Sequence, residues 1–121
     1  MENELIVSVY KFMGNDLLSG RTSEDGSPSA ESLRQHILDN WDKYERISVS
    51  LDSVVQITRP FYDEAFAKLL EDHPLNDFNQ KVHFPDAQEK IVKELNTAFK
   101  IRLKIIQSKR DKDKENDELG L

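Results

Sequence analysis

The sequence predicts an α/β fold: a small, mixed but mostly parallel sheet flanked by helices, with a long C-terminal helix. Three observations carry that prediction. Short β-rich runs alternate with longer amphipathic ones, so the order reads β–α–β–α–β–α. The stretches between successive strands have helical length and patterning, which calls for crossover connections rather than hairpins. Hydrophobic residues are 37% of 121, enough for one domain with a single modest core.

The elements follow in order. Leu5-Ile-Val-Ser-Val-Tyr10 is rich in β-branched and aromatic residues and reads as a strand that runs on through Phe12. Gly14 to Gly26 reads as a long polar loop, with room for an extra edge strand near residues 16–22. Ser27 followed by Pro28 resembles a helix start, and Leu33, Ile37, Leu38, Trp41 and Tyr44 share an apolar face, predicting a helix over 28–43. Ile47, Val49 and Leu51 alternate with polar residues in a second strand from Arg46. Val54, Val55 and Ile57 lead to a second helix with Thr58 as its cap and Pro60 in its first turn. His73-Pro74 ends that helix near Asp72. Lys81 to Phe84 is a third strand, and Asp86 with Glu89 has capping-box spacing for the last helix. Ile91, Val92, Leu95, Ala98, Phe99, Leu103 and Ile106 form its apolar stripe. From Lys109 the stripe is absent, so the division is a domain over 1–108 and a disordered charged tail over 109–121.

Charge is spread unevenly. The net charge of −6 divides into −8 over residues 1–99, +5 over 100–110 and −3 over 111–121. An acidic body repels phosphate backbones, so nucleic-acid binding by the body is disfavoured. The exception is the run Lys100, Arg102, Lys104, Lys109 and Arg110, whose plain reading is the solvated face of the last helix. No stretch of 18 apolar residues exists to span a membrane, and the first residues lack the features of a secretory signal, so a cytoplasmic location is expected. The chain has no cysteine, which excludes disulfides, thiol catalysis and thiolate metal sites.

Few residues suggest chemistry. His36, His73 and His83 fall at no metal-ligand spacing, and neither a metal nor another cofactor is expected. His36 reads as exposed on its helix, and His83 as an edge or packed residue. Asp63 and Glu64 are adjacent, but neighbours on a helix point about 100° apart and converge poorly on one bond. They read as complements to the helix dipole. No nucleophile elbow and no phosphate-binding glycine loop occurs, so the chain reads as a non-enzyme.

The stretch Ser48 to Leu70, with Phe61, Asp63 and Glu64 opening a helix and Phe66 and Leu69-Leu70 following, resembles the bacterial STAS-like domain family, relatives of anti-sigma factor antagonists. Ser19-Gly20-Arg21 upstream and Val82-His-Phe84 downstream extend the resemblance over residues 5–106. Departures are Ser50 where the family usually has Asp, Ser53 at a turn position usually small or glycine, and Arg59-Pro60 where classical antagonists carry a phosphorylatable serine. The resemblance implies a regulatory binding module that docks a partner protein, such as a histidine-kinase-like ATPase, through the strand–turn–helix at 53–62. Ser53, Thr58, Arg59 and an exposed Tyr62 would form the contact, with Thr58 as the candidate phosphorylation site. The alternative is a nucleic-acid-associated accessory protein using the basic C-terminal helix. A small hydrolase using a carboxylate and His83 is the third reading.

Overall fold

The computed structural model describes residues 2–118. Its strands are β1 (Glu2–Ser8), β2 (Leu17–Leu18), β3 (Tyr44–Ser50), β4 (Gln56–Ile57) and β5 (Val82–His83). The helices are α1 (Val9–Met13), α2 (Ala30–Asn40), α3 (Arg59–Ala65), α4 (Leu75–Lys81) and α5 (Glu89–Glu118), with a 3-10 helix over Ala67–Glu71 after α3. A three-stranded parallel sheet has the order β1-β3-β5, and β2 pairs with β4 in a separate two-stranded parallel sheet.

Register aligns Leu5 with Ile47, Val7 with Val49, and Ile47 with Val82. These residues form the inward rows, because side chains alternate along a strand. Moving one way across the sheet with right-handed crossovers puts the connecting helices on one face. Exposure agrees: Val7, Ile47, Val49 and Val82 are buried, while Glu4, Ile6 and Arg46 of the opposite rows are exposed. Parallel sheets are usually covered on both faces. Here the uncovered face is polar apart from Ile6, and Ser48, between Arg46 and Glu4, donates to the Glu4 carboxylate at 2.6 Å.

The strand expected through Phe12 stops at Ser8. The Ser8 hydroxyl accepts the Lys11 N–H at 3.2 Å, a helix cap that turns the chain into α1. Gly14 ends α1 at φ 68°, a left-handed conformation that glycine adopts without a Cβ clash. The first long helix starts at Ala30 rather than residue 28. Ser29 and Ser32 form a reciprocal capping box, while the Ser27 hydroxyl is engaged by Asp25 at 2.6 Å. The expected edge strand exists as β2, but it joins β4 instead of the main sheet. The single helix expected from Thr58 to Asp72 is α3 followed by the 3-10 helix, and α4 fills the next loop. Asp86 does not cap α5. Its carboxylate takes the Ser50 hydroxyl at 2.6 Å and the Leu51 N–H at 2.9 Å, tying the end of β3 to the approach to α5.

The core gathers between the sheet and α2, α3 and α5. Val9, Leu33, Ile37, Ile47, Val49, Phe61, Phe66 and Leu69 have no exposed surface. Phe66 meets Phe61 and Phe84 edge-on, with ring centroids 6.4 and 5.2 Å apart. Each such side chain contributes about 1.5–3 kcal/mol by leaving water. Contact of α5 with the core ends at half-buried Ile106, near the expected domain boundary. The chain expected to be disordered from 109 instead continues as helix to Glu118, with residues 109–114 all exposed. Good helix formers and the Gln107–Asp111 hydrogen bond at 2.9 Å, one turn apart, support this extension. Residues 119–121 of the expected tail lie outside the described residues.

Candidate functional site

The segment between β3 and α3 makes a sharp, exposed turn. The Val54 N–H donates to the Leu51 carbonyl at 3.1 Å, and Ser53 sits at φ 70°. A left-handed serine is strained, which explains why a glycine-like residue suits this position. Val55 follows with 72% of its surface exposed. Its N–H donates to Asp16 O at 2.8 Å, and the Thr58 N–H donates to Leu18 O at 3.0 Å. These bonds lock the turn to β2 and bring exposed Leu17 into the neighbourhood of Val55.

Between this turn and α5 lies a cavity of about 240 Å³. Ser53 and Val55 line one side, and Tyr62 with Glu94 the other. The Tyr62 hydroxyl donates to Glu94 Oε2 at 2.7 Å. Burial, then the hydrogen bond and charge of Glu94, push the phenol pKa far up, so Tyr62 stays a neutral donor. Asp86 closes the same cavity. Burial raises its pKa, but the hydrogen bonds from Ser50 and the Leu51 N–H outweigh that and hold it below the usual carboxylate range.

Two of the four expected contact residues are where a partner can reach them: Ser53 and Arg59 are exposed. Tyr62, expected at the rim, is 1% exposed and belongs to the floor of the cavity. Thr58 stands at the cap position of α3 but makes no capping hydrogen bond, and its Oγ1 is buried without a partner. A hydroxyl closed off in this way does not present itself to a kinase, so phosphorylation of Thr58 does not fit the folded chain.

The largest correction concerns Asp63 and Glu64. They are buried, not solvated dipole complements. Asp63 accepts Arg21 Nη1 at 2.6 Å and Arg102 Nε at 2.9 Å, and a further bond from Arg102 Nη2 makes that pair bidentate. Glu64 accepts Arg34 Nη1 at 2.6 Å and Lys68 Nζ at 3.0 Å. Arg102 also reaches Glu71 at 3.1 Å. Burial raises both carboxyl pKa values, but the hydrogen bonds and charges from Arg102 and Arg21 on Asp63, and from Lys68 and Arg34 on Glu64, leave both below the ordinary range. Arg102, read from the sequence as part of a solvated basic face, is therefore an interior residue. Both carboxylates are ionised and saturated with donors, the reverse of a proton-transfer group poised near neutrality.

The histidines are structural as well. His36 is half-buried against Phe12, with ring centroids at 5.3 Å. His73 stacks on Trp41 at 3.8 Å, and His83 lies 3.1 Å from the Gln80 carbonyl. Among the described residues no three His, Asp or Glu side chains gather as a metal site, and no helix is long and apolar enough to cross a membrane.

Fold and site together define a small α/β module with a parallel sheet, an ion-paired interior and an exposed turn leading into a buried helix. Residues 29–92 match the family model of the STAS-like domain of unknown function (DUF4325), just over half of the chain, and the chain belongs to that family. No curated protein and no solved structure matches it.

Proposed function

We propose that this domain is a non-enzymatic regulatory module that binds a partner protein through the turn from Asp52 to Arg59. The observation that carries this is Val55, a large aliphatic side chain held 72% exposed by a turn that is itself hydrogen-bonded to β2. A rigid loop presenting an apolar anchor beside a cation, Arg59, has the make-up of a binding hot spot with a polar rim. Ser53 shapes the turn. Tyr62 acts from beneath, fixing α3 against Glu94. A histidine-kinase-like ATPase is the partner class that the STAS-like character of the chain favours.

The test is a titration of the full chain against such an ATPase from the same host, comparing the native chain with Val55→Asp and Arg59→Ala. Both variants are expected to keep the circular dichroism of the native fold and to weaken binding by about tenfold or more. Native-like affinity in both would refute the reading.

A nucleic-acid role is favoured only by the exposed cations Lys100, Lys104, Lys109 and Arg110, which carry no ion pair among the described residues. It predicts gel-shift binding that falls steeply with salt.

A further inference from the structure

We propose that the seam between α3 and α5 receives an acidic, amphipathic helical segment of a partner protein. This rests on the reading of the chain as a protein-binding module and gives it a second surface with a stated partner chemistry.

The seam holds a cavity of about 210 Å³, bounded by Arg59 and Pro60 at the start of α3 and by Ile101 and Ile105 of α5. Arg21, Asp63 and Arg102 form the rest of its wall with Ala98. Charge in the ion-pair cluster behind that wall does not balance. The connected cluster sets Arg21, Arg34, Lys68 and Arg102 against Asp63, Glu64 and Glu71, four cations to three anions. Arg59 adds a fifth cation that makes no hydrogen bond or ion pair among the described residues, so the excess is 5 − 3 = +2. The whole chain carries −6, so this excess is local. It makes the mouth of the seam electropositive, which favours an anionic partner there.

The apolar side of the seam says what kind of anion. Ile101 and Ile105 are both exposed and stand one helical turn apart on α5. Lys104 and Lys109 flank that stripe, exposed and without ion pairs among the described residues. A nucleic-acid backbone would engage the cations and leave both isoleucines in water. A wholly apolar partner would cover the isoleucines and strand the guanidinium of Arg59, at a desolvation cost. A helix with aliphatic residues on one face and Asp or Glu along its borders satisfies both demands, by groove packing and by charge complementarity.

The experiment is an NMR titration of the 15N-labelled full chain with a synthetic helical peptide bearing a leucine stripe bordered by glutamates. A second peptide has every glutamate replaced by glutamine, and a duplex DNA oligonucleotide serves as the third ligand. The expected result is shift changes centred on Arg59, Ala98, Ile101 and Ile105 for the acidic peptide, with affinity lowered about tenfold or more by Arg59→Glu and by the double variant Ile101→Ser, Ile105→Ser. The glutamine peptide and the DNA are expected to leave those resonances in place. Equal binding of the glutamine peptide, shifts elsewhere, no shifts with the acidic peptide, or DNA binding that survives the double variant would each overturn the proposal. Val55→Asp lies outside the seam and is expected to leave peptide binding intact. Loss of peptide binding with turn-dependent ATPase binding retained therefore removes the seam proposal alone.

Discussion

The turn over residues 52–57 and helix α3 adjoin in the chain and are opposite in character. The turn is exposed, strained at Ser53 and held by backbone hydrogen bonds to a two-residue strand. The helix buries Phe61, Tyr62, Asp63, Glu64 and Ala65 in succession, an all-round burial unusual for so short an element. Amphipathic helices keep one polar face to water. α3 instead lies between α2 and α5, and its polar residues are satisfied by arginines from both sides. The contrast separates two tasks. The helix is a keystone whose side chains hold the interior together, and the turn beside it stays in solvent.

Substitutions can break that separation or sharpen it. The largest effect is expected at Phe66, fully buried at the end of α3: Phe66→Ala should lower unfolding free energy by about 3–5 kcal/mol in urea titration. Asp63→Asn removes the buried partner of Arg102 and leaves it only the exposed Glu71, at a cost of about 3 kcal/mol. Adding Arg102→Met should recover part of that loss, because the stranded charge is then gone.

Acidification tests the same helix. The folded-state pKa values of Asp63 and Glu64 lie below their unfolded ones. Their contribution is therefore complete above the ordinary carboxylate value of about 4 and is lost as pH falls through the lower folded values. Thermal melts should show this decline, and Asp63→Asn should flatten it. Thr58 gives a smaller effect with a diagnostic sign. A capping threonine costs about 1 kcal/mol when its hydroxyl is removed. Here the hydroxyl is buried and unpaired, so Thr58→Val should be neutral or stabilising by about 1 kcal/mol. The smallest stability effect belongs to the turn: Val55→Asp should stay within about 0.5 kcal/mol of native while weakening the proposed partner binding about tenfold or more.

The same contrast explains what could be read from the sequence. Ile47, Val49 and Leu51, and Leu33, Ile37 and Trp41, show their periods plainly because each element buries one row. The long stripe on α5 is legible for the same reason. The helices α1 and α4 are too short for a period to emerge, although Ser8 and Gly14 mark the limits of α1. Val54, Val55 and Ile57 read as an apolar connection, so the exposure of Val55 left no signal in the residues, and Tyr62 is misplaced because a phenol suits a rim as well as an interior. Asp63 and Glu64 are helix neighbours expected to converge poorly, yet both reach the same Arg21 nitrogen, at 2.6 and 3.3 Å. Arg21, 42 and 43 residues away, bridges the two carboxylates, while Arg102, 39 residues away, bonds Asp63 and Arg34, 30 residues away, bonds Glu64. Partners that distant leave no spacing signal. Among the basic residues of 100–110, only the position of Arg102 between Ala98 and Ile106 on the inner stripe hinted at its burial.

Asp63 shares its carboxylate between two guanidiniums of unequal shelter: the Arg21 side chain is 44% exposed and that of Arg102 is 9%. Dissolved ions screen the first strongly and the second little. Ionic strength is thus a selective reagent for this fold: raising it loosens the grip of the polar segment around Arg21 while the joint between α3 and α5 holds.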